Sequence, residues 1–179
     1  KVSHALQVFA WRPSELLMAC EGEQVERYLQ PCVRAEKTEC FAITEPGAGS
    51  DIMSMATRAE RAGDDWVING SKHFVSSHIL PDFAIVFAAT GVDHSERGPR
   101  KRVTAFLVDR GHPGFEIVRG PRCVSQRAYL NFVLRLPETH TPKGTAAAVT
   151  TMVGGRMWQE DLRKQWSFSM IQVALSSLR

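Results

Sequence analysis

The sequence predicts a mainly β protein, a β-barrel or sandwich with a helical segment before it and a helix after it. About seven short apolar runs, separated by turn-forming residues, follow one another between residues 40 and 136. Strands at this density are typical of barrels and sandwiches. The two flanking segments instead show the spacing of amphipathic helices. No Gly-x-Gly-x-x-Gly motif follows a predicted strand, which disfavours a Rossmann unit.

Length and composition favour a globular protein with one sizeable core. The chain has 179 residues, of which 44% are hydrophobic and 23% charged, and at about 150 residues per domain it has room for one domain and part of another. The excess of basic residues is 22 against 19, too small to predict a nucleic-acid partner. We interpret the one dense basic run, RGPRKR at 97–102, as a solvated hairpin loop.

The sequence predicts a protein of a reducing compartment, the bacterial cytoplasm or the mitochondrial matrix, that is not secreted. No run approaches the roughly 20 apolar residues of a membrane span, and no signal peptide is visible. The start at Lys1 leaves a lost targeting peptide open. Cys20, Cys32, Cys40 and Cys123 form no Cys-x-x-Cys pair, so we expect reduced thiols and no metal site.

The first predicted segment, residues 1–37, is a helical lead-in. Ser14 is a plausible N-cap, and Pro31 lies near the end of the apolar pattern. The pattern breaks near Glu21 and Gly22, which indicates one or two short helices. The apolar positions expected on one side are Leu16, Leu17, Cys20, Val25, Tyr28, Leu29 and Val33.

Residues 38–137 form the predicted β domain. Residues 63–65 (Gly-Asp-Asp) supply a turn, and Asn69-Gly70 is the strongest hairpin signal because both residues tolerate positive φ. The predicted strands are residues 40–44, 55–61, 66–68, 72–76, 83–89, 103–108, 115–118 and 129–136.

Residues 138–179 form a tail of different character. Residues 139–144 (THTPKG) predict a loop. Trp158, Leu162, Trp166 and Met170 recur every four residues, which predicts a helix with one apolar stripe.

The stretch at 41–51, FAITEPGAGSD, is the first candidate site. A buried strand would end at Thr44 and be followed by a turn of small residues that lets a ligand approach the backbone. Successive amides beside the Ser50 hydroxyl could hold a phosphate. The alternative is an ordinary turn whose Ser50 or Asp51 caps a helix.

The stretch at 69–76, NGSKHFVS, is the second candidate site. Phe74 lies two positions before Ser76, so both point to one face of a strand. They could give a flat ring system a wall and a hydrogen bond. The alternative is a core phenylalanine and a solvent-facing serine.

Together these segments resemble the acyl-CoA dehydrogenase family, flavoproteins of fatty acid metabolism that oxidise acyl-CoA thioesters to 2-enoyl-CoA. TEPGAGSD at 44–51 is a signature of that family. A WVING hairpin and an NG-x-K-x-(Trp/Phe)-x-(Thr/Ser) strand follow it there at about the distance of residues 66–76. The resemblance runs from about Pro13 to about Asn131. It implies that family's middle β-barrel, preceded by the end of its N-terminal helical domain.

The resemblance implies an FAD site on the barrel. Thr44 would hydrogen-bond the pyrimidine edge of the flavin, and Gly49 and Ser50 would meet the pyrophosphate. Ser50 would also lie near the acyl-CoA substrate. Phe74 would pack against the isoalloxazine ring and Ser76 would hydrogen-bond near its N5. The full implied set is Phe41, Ala42, Ile43, Thr44, Gly49, Ser50, Phe74, Val75 and Ser76.

In the family's mechanism a carboxylate removes the α-proton while the β-hydrogen leaves as hydride to the flavin. That glutamate normally lies in a large C-terminal helical domain, which this sequence does not match. Glu138 and Glu160 lack the sequence context of the base, so we expect a fragment without it and leave the catalytic residue unknown.

The expected function is FAD-dependent α,β-dehydrogenation of an acyl-CoA thioester, with electron-transfer flavoprotein as the electron acceptor. Two alternatives stay open: a non-catalytic flavin-binding or interaction module, and a related flavin oxidase or hydroxylase. Family members are usually dimers or tetramers, which leaves a homo-oligomer open.

Overall fold

Seven strands form one sheet that curls into a half-barrel in the part of the chain that the structure describes. The structure is a computed structural model, and it describes residues 13–96, 98–124 and 130–142. The predicted fold class is confirmed. The strands are β1 (Glu39–Ala42), β2 (Arg58–Ala62), β3 (Asp65–Ser77), β4 (Phe83–Ser95), β5 (Gly98–Asp109), β6 (Glu116–Arg119) and β7 (Leu130–Thr141).

The sheet is organised around β4. One edge of β4 pairs antiparallel with β5 over its whole length, from Phe83 opposite Asp109 onward. Its other edge pairs parallel first with β1 and then, at Arg58 opposite Ala89, with β2. From β2 the sheet continues through antiparallel pairs to β3, β7 and β6. The basic run does lie at a hairpin, but residues 100–102 pair with β4 inside β5 instead of forming a loop.

Period-two alternation in β4 separates two hydrophobic clusters. Phe83, Ile85 and Phe87 pack with the helical lead-in, in what we call the helix-facing cluster. The alternate residues of β4, Ala84 and Val86 among them, pack inside the curl of the sheet, in the interior cluster. Each long strand of the hairpin is therefore covered on both faces, which explains its near-continuous apolar sequence.

The described part of the lead-in, from residue 13 onward, contains three short helical pieces. They are a 3-10 turn (Glu15–Ala19), a π-helical turn (Val25–Leu29) and α1 (Gln30–Val33). The expected cap is present, since Ser14 Oγ accepts a hydrogen bond from the Leu16 amide at 3.4 Å. The expected break is present too, at Gly22 with φ of +54°. Val33 is 43% exposed, contrary to prediction, because the last turn buries Cys32 instead.

The predicted hairpin at Asn69-Gly70 is wrong. The strand β3 continues through both residues, with a register shift against β7 between Ile68 and Gly70, and the turn that joins it to β2 lies at Gly63, whose φ is +65°. Gly70 is needed for space: a Cβ there would lie 2.4 Å from Thr57 Oγ1. Asn69 Oδ1 accepts from the Glu138 amide at 3.0 Å, so the side chain joins two strands.

The last described strand, β7, continues to Thr141, so the loop predicted from Thr139 begins later than expected. The predicted helix with Trp158, Leu162, Trp166 and Met170 lies outside the described residues. None of the helices within the described ranges is long and apolar enough to cross a membrane.

Candidate functional site

The glycine-containing turn after β1 is closed by its own backbone. Glu45 and Ala48 exchange two hydrogen bonds, of 3.0 and 3.2 Å. Gly47 and Gly49 are exposed, neither has a positive φ, and a Cβ at either one would meet no atom within 4 Å. The described fold thus has no steric need for glycine here, while a ligand lying against the backbone would need one.

A buried ion pair anchors this turn to the sheet. Lys72 on β3 donates to Glu45 Oε1 at 2.7 Å and to the Ile43 carbonyl at 3.2 Å. The Lys72 side chain is fully buried and that of Glu45 is 6% exposed. The backbone amides of Ala56 and Thr57 donate to the same carboxylate at 2.6 and 3.0 Å. One carboxylate therefore fixes the turn against β3 and against the segment before β2.

The surroundings of this pair favour a charged Glu45 carboxylate beside a charged Lys72 ammonium. Burial works to raise the pKa of Glu45, but hydrogen bonds from Lys72, Thr57 and Ala56 outweigh it and hold that pKa below its ordinary value. Burial lowers the pKa of Lys72, and its hydrogen bond to Glu45 opposes that shift. A charged pair with this many hydrogen-bond partners is geometrically specific.

A strained bulge in β3 presents an aromatic ring to solvent. Phe74 has φ of +53° and is 57% exposed, and the β3–β7 register shifts between Lys72 and Val75. Val75 is buried and Ser76 exposed, so Phe74 and Ser76 lie on one face as expected. A left-handed phenylalanine costs about 1–3 kcal/mol, and such strain concentrates at functional sites.

Strand β1 brings the other predicted residues beside this bulge. The His73 amide donates to the Thr44 carbonyl at 2.7 Å, which joins the end of β1 to β3. Phe41 is 39% exposed, and its ring centroid lies 4.8 Å from that of Phe87. Ile43 packs partly against the helix-facing cluster.

The predicted residues differ in what they can offer a ligand. Ala42 and Val75 lie in the interior cluster, so only their backbone atoms could meet a ligand on the outer face. Ser50 is exposed beside Gly49. Thr44 is half-buried.

Ser76 has a polar partner on the next strand. Its hydroxyl donates to Asn131 Oδ1 at 2.8 Å, and Asn131 Nδ2 donates to Cys123 Sγ at 3.1 Å. Asn131 is buried at 6% exposure and lies opposite Ser76 in the β3–β7 register.

Sequence reasoning missed the polar residues that hold this surface in place: Glu45, Lys72 and Asn131. The position of Lys72 could have indicated one of them. Lys72 is four residues after the apolar Ile68, so in a strand it lies on the same, buried face. A buried lysine needs a partner of opposite charge. Nothing in the sequence indicated which carboxylate that would be.

The structure assigns no role to either glutamate that the sequence offered as a base. Glu138 is exposed on β7, and Glu160 lies outside the described part of the chain. Within the described ranges, no three His, Cys, Asp or Glu side chains gather as metal ligands.

The described fold is a β domain whose single sheet curls into a half-barrel and carries an exposed surface at Phe74 and the turn after β1. A family model described as the acyl-CoA dehydrogenase middle domain matches residues 40–131, so the chain belongs to the acyl-CoA dehydrogenase family.

Three similar proteins indicate the range of the family. The chain is 43% identical over 98 residues to the 3-(aryl)acrylate reductase of Clostridium sporogenes, covering 55% of this chain and 25% of that one. It is 38% identical over 114 residues to the caffeyl-CoA reductase–Etf complex subunit CarC of Acetobacterium woodii, with 61% and 29% covered. A glutaryl-CoA dehydrogenase of Mycobacterium smegmatis, solved in complex with FADH2, superposes with a TM-score of 0.66 at 29% identity, with 75% and 34% covered. The chain thus spans a quarter to about a third of these proteins.

Proposed function

We propose that this chain supplies the flavin-facing wall of an FAD-dependent acyl-CoA dehydrogenase that oxidises an acyl-CoA thioester to its 2-enoyl form. One observation carries the proposal. A turn with two glycines that the fold does not require is anchored by a buried ion pair to β3, the strand that carries an exposed, strained phenylalanine. This is a surface built for a large flat ligand that carries phosphate groups.

The residues present fit FAD in their chemistry. Phe74 and Phe41 offer apolar rings, and Thr44 and Ser76 offer hydroxyls at the junction of β1 and β3. Gly49 and Ser50 would meet the pyrophosphate, with Ser50 also near the acyl-CoA. Ala42, Ile43 and Val75 would complete the lining, Ala42 and Val75 through their backbone.

When bound, FAD supplies the hydride acceptor for the β-hydrogen. The chain's own part is to bind and orient the ring, because the Lys72–Glu45 pair and the bulge at Phe74 fix the backbone on two sides of it. We assign no residue of this chain to removal of the α-proton.

Uptake of FAD by the 179-residue chain tests the binding proposal, with Gly49→Ala as the informative variant. Alanine at Gly49 meets no atom of the chain, so the variant should unfold at the same temperature as wild type. It should bind FAD at least about fivefold more weakly, since one misplaced methyl group costs about 1–3 kcal/mol in a packed site. Gly91→Ala is the matched control: its Cβ has no neighbour closer than 3.7 Å, and it lies away from the turn. Equal FAD affinity of both variants and wild type would contradict the proposed site.

Substrate chemistry separates the remaining candidates. Loss of flavin absorbance on adding butyryl-CoA anaerobically would support dehydrogenation by this chain, and its return on adding crotonyl-CoA would show the reverse reaction. Flavin binding without bleaching would favour the non-catalytic module, in keeping with the absence of an assigned base. Hydrogen peroxide production in air would favour the oxidase.

The proposed partners are an acyl-CoA and an electron-transfer flavoprotein. The similarity to a subunit of a caffeyl-CoA reductase–Etf complex supports the second. The compartment we propose is the bacterial cytoplasm or the mitochondrial matrix, since Cys20, Cys32 and Cys40 are buried and form no disulfide.

A further inference from the structure

The helical lead-in covers only part of the outer face of the sheet. It packs on β4 and β5, whose outward residues belong to the helix-facing cluster. Within the described ranges, no residue of β3, β6 or β7 belongs to that cluster. The outer face of these three strands therefore has no helical layer among the described residues.

An apolar row crosses this part of the sheet. Val118 on β6 lies opposite Val133 on β7, and Val133 lies opposite the bulge that carries Phe74 on β3. Val133 points to the outer face, because its neighbour Leu134 lies in the interior cluster. Val118 points outward for the same reason, because the adjacent Ile117 packs against the interior cluster. Both valines are half-buried.

Polar pairs border the row on both sides. On one side, Arg135 and Glu116 face each other across β7 and β6 as an exposed ion pair with nitrogen and oxygen 3.8 Å apart. On the other side, the Ser76 and Asn131 side chains are hydrogen-bonded at 2.8 Å. An apolar centre with a polar rim is typical of a surface that another element covers.

The sequence after β7 provides an element that needs such a surface. Its four-residue repeat, outside the described residues, predicts a helix with one apolar stripe from Trp158 to Met170. A stripe of this kind is buried against another layer in a folded domain. As a helix it would be about 18 Å long, which is enough to cross three strands spaced about 4.8 Å apart.

The connection to this segment is long enough for it to return over the sheet. Strand β7 ends at Thr141, and Val133 lies about 26 Å back along the strand. Residues 143–157 precede the stripe and span up to about 50 Å when extended. The chain that leaves β7 is therefore able to turn back and reach the row.

We propose that the predicted helix at 158–170 packs on the outer face of β6 and β7, over Val118 and Val133, as the counterpart of the lead-in on β4 and β5. The occupant is the chain's own tail, because a short tether holds a segment at an effective concentration in about the millimolar range. A second copy at micromolar concentration competes poorly with it. The inference goes beyond the proposed function and does not depend on it, since Phe74 at the end of the row remains open to a flavin.

Photo-cross-linking in the full 179-residue chain tests the inference. Val118→p-benzoylphenylalanine places a reactive group in the row. Val92→p-benzoylphenylalanine is the matched control, because Val92 is 52% exposed on β4, which is three strands from β7 in the sheet. After irradiation, mass spectrometry should find a tail peptide from 156–170 joined to position 118 and none joined to position 92.

A mixture of isotope-labelled and unlabelled chains identifies the occupant. Cross-linked peptides that carry a single isotope come from one chain, as the inference requires. Cross-links that combine the two isotopes would show a second copy on the row and overturn the inference. Equal cross-linking to the tail from both positions, or none from position 118, would overturn it as well.

Two tail substitutions make the test independent of the new group at position 118. Leu162→Asp puts a charge into the stripe, whereas Ser167→Asp adds the same charge off the stripe. Leu162→Asp should abolish the cross-link and, in the otherwise unmodified chain, lower the unfolding temperature by roughly 3–12 °C, the effect of losing one buried leucine in a chain of this size. Ser167→Asp should leave both unchanged. Circular dichroism measures the unfolding of the sheet, and equal results for the two variants would overturn the inference whether or not the chain takes up FAD.

Discussion

Removing the Lys72 charge is the sharpest test of how the candidate surface is held. Lys72→Met keeps a side chain of similar length and leaves Glu45 buried beside two backbone amides at 2.6 and 3.0 Å. The variant therefore separates the charge of the pair from its packing. The turn at 44–51 would lose its side-chain anchor to β3 and keep the hydrogen bond from the His73 amide to the Thr44 carbonyl.

The magnitude follows from burial. Breaking one partner of a buried pair typically costs about 3–5 kcal/mol, because the other charge stays buried and unpaired. The two remaining amides still stabilise Glu45, so we expect about 3 kcal/mol, the low end of that range. Adding Glu45→Gln should recover part of the loss, since the double variant buries no charge at this position.

The loss of stability caused by Lys72→Met should be smaller at acidic pH. In the wild type the lowered pKa of Glu45 gives stability that is present above the unfolded-state value of about 4.3 and is lost as the pH falls through the folded-state value. Without Lys72 the pKa of Glu45 rises relative to the wild type, so the variant takes up a proton at a higher pH. The stability difference between the two proteins must then decrease from about pH 7 to about pH 3.

Urea unfolding followed by circular dichroism measures the free energy of unfolding at each pH. Arg58→Met is the matched control, because it also removes one partner of an ion pair, Arg58–Glu60 at 3.0 Å, whose side chains are 63% and 70% exposed. This variant should change the free energy of unfolding by less than about 1 kcal/mol. A loss in Lys72→Met no larger than in Arg58→Met, or one independent of pH, would refute the reasoning.

Three further predictions concern single positions. Gly70→Ala should cost at least about 1–3 kcal/mol in urea unfolding, because its Cβ would lie 2.4 Å from a neighbouring threonine, whereas Gly91→Ala should be tolerated; equal stability would contradict the packing. Phe74→Gly should leave the free energy of unfolding unchanged or raise it by about 1 kcal/mol, since strain at φ of +53° is relieved, yet weaken FAD uptake; a large loss of stability would show that the ring belongs to the core. Burial raises the pKa of Cys20 to about 11, so iodoacetamide near neutral pH should modify Cys20 more slowly than half-exposed Cys123. Mass spectrometry of the peptides measures the two rates, and equal rates would contradict the burial of Cys20.

The sequence pattern predicted the parts of the fold that depend on local periodicity. The apolar runs at β4 and β5 were recognised as strands, although both extend beyond the predicted ends. Asn69-Gly70 misled because its turn propensity is local, whereas Gly70 packs closely against Thr57, which precedes β2 and is distant in the sequence.

The candidate surface was predictable only where the residues are consecutive. The runs at 41–44 and 73–76 could each be recognised in the sequence, but the polar anchors behind them join distant positions. Glu45 and Lys72 are 27 residues apart, and Ser76 and Asn131 are 55 apart. Such pairs depend on strand register, which a single sequence does not determine.

The Lys72–Glu45 and Ser76–Asn131 pairs hold different parts of the candidate surface. The Lys72–Glu45 pair fixes the backbone of the turn, so its loss should weaken all phosphate-bearing ligands alike. The Ser76–Asn131 pair ties the Ser76 side chain to β7 at 2.8 Å, so its loss should weaken only the contacts that a ligand makes at this end of the surface. Because the two pairs share no residue and act on different parts of the ligand, their effects on FAD affinity should be additive. Coupling between them beyond about 0.5 kcal/mol would mean that the half-barrel transmits strain from one anchor to the other, and that the surface is held as a single unit.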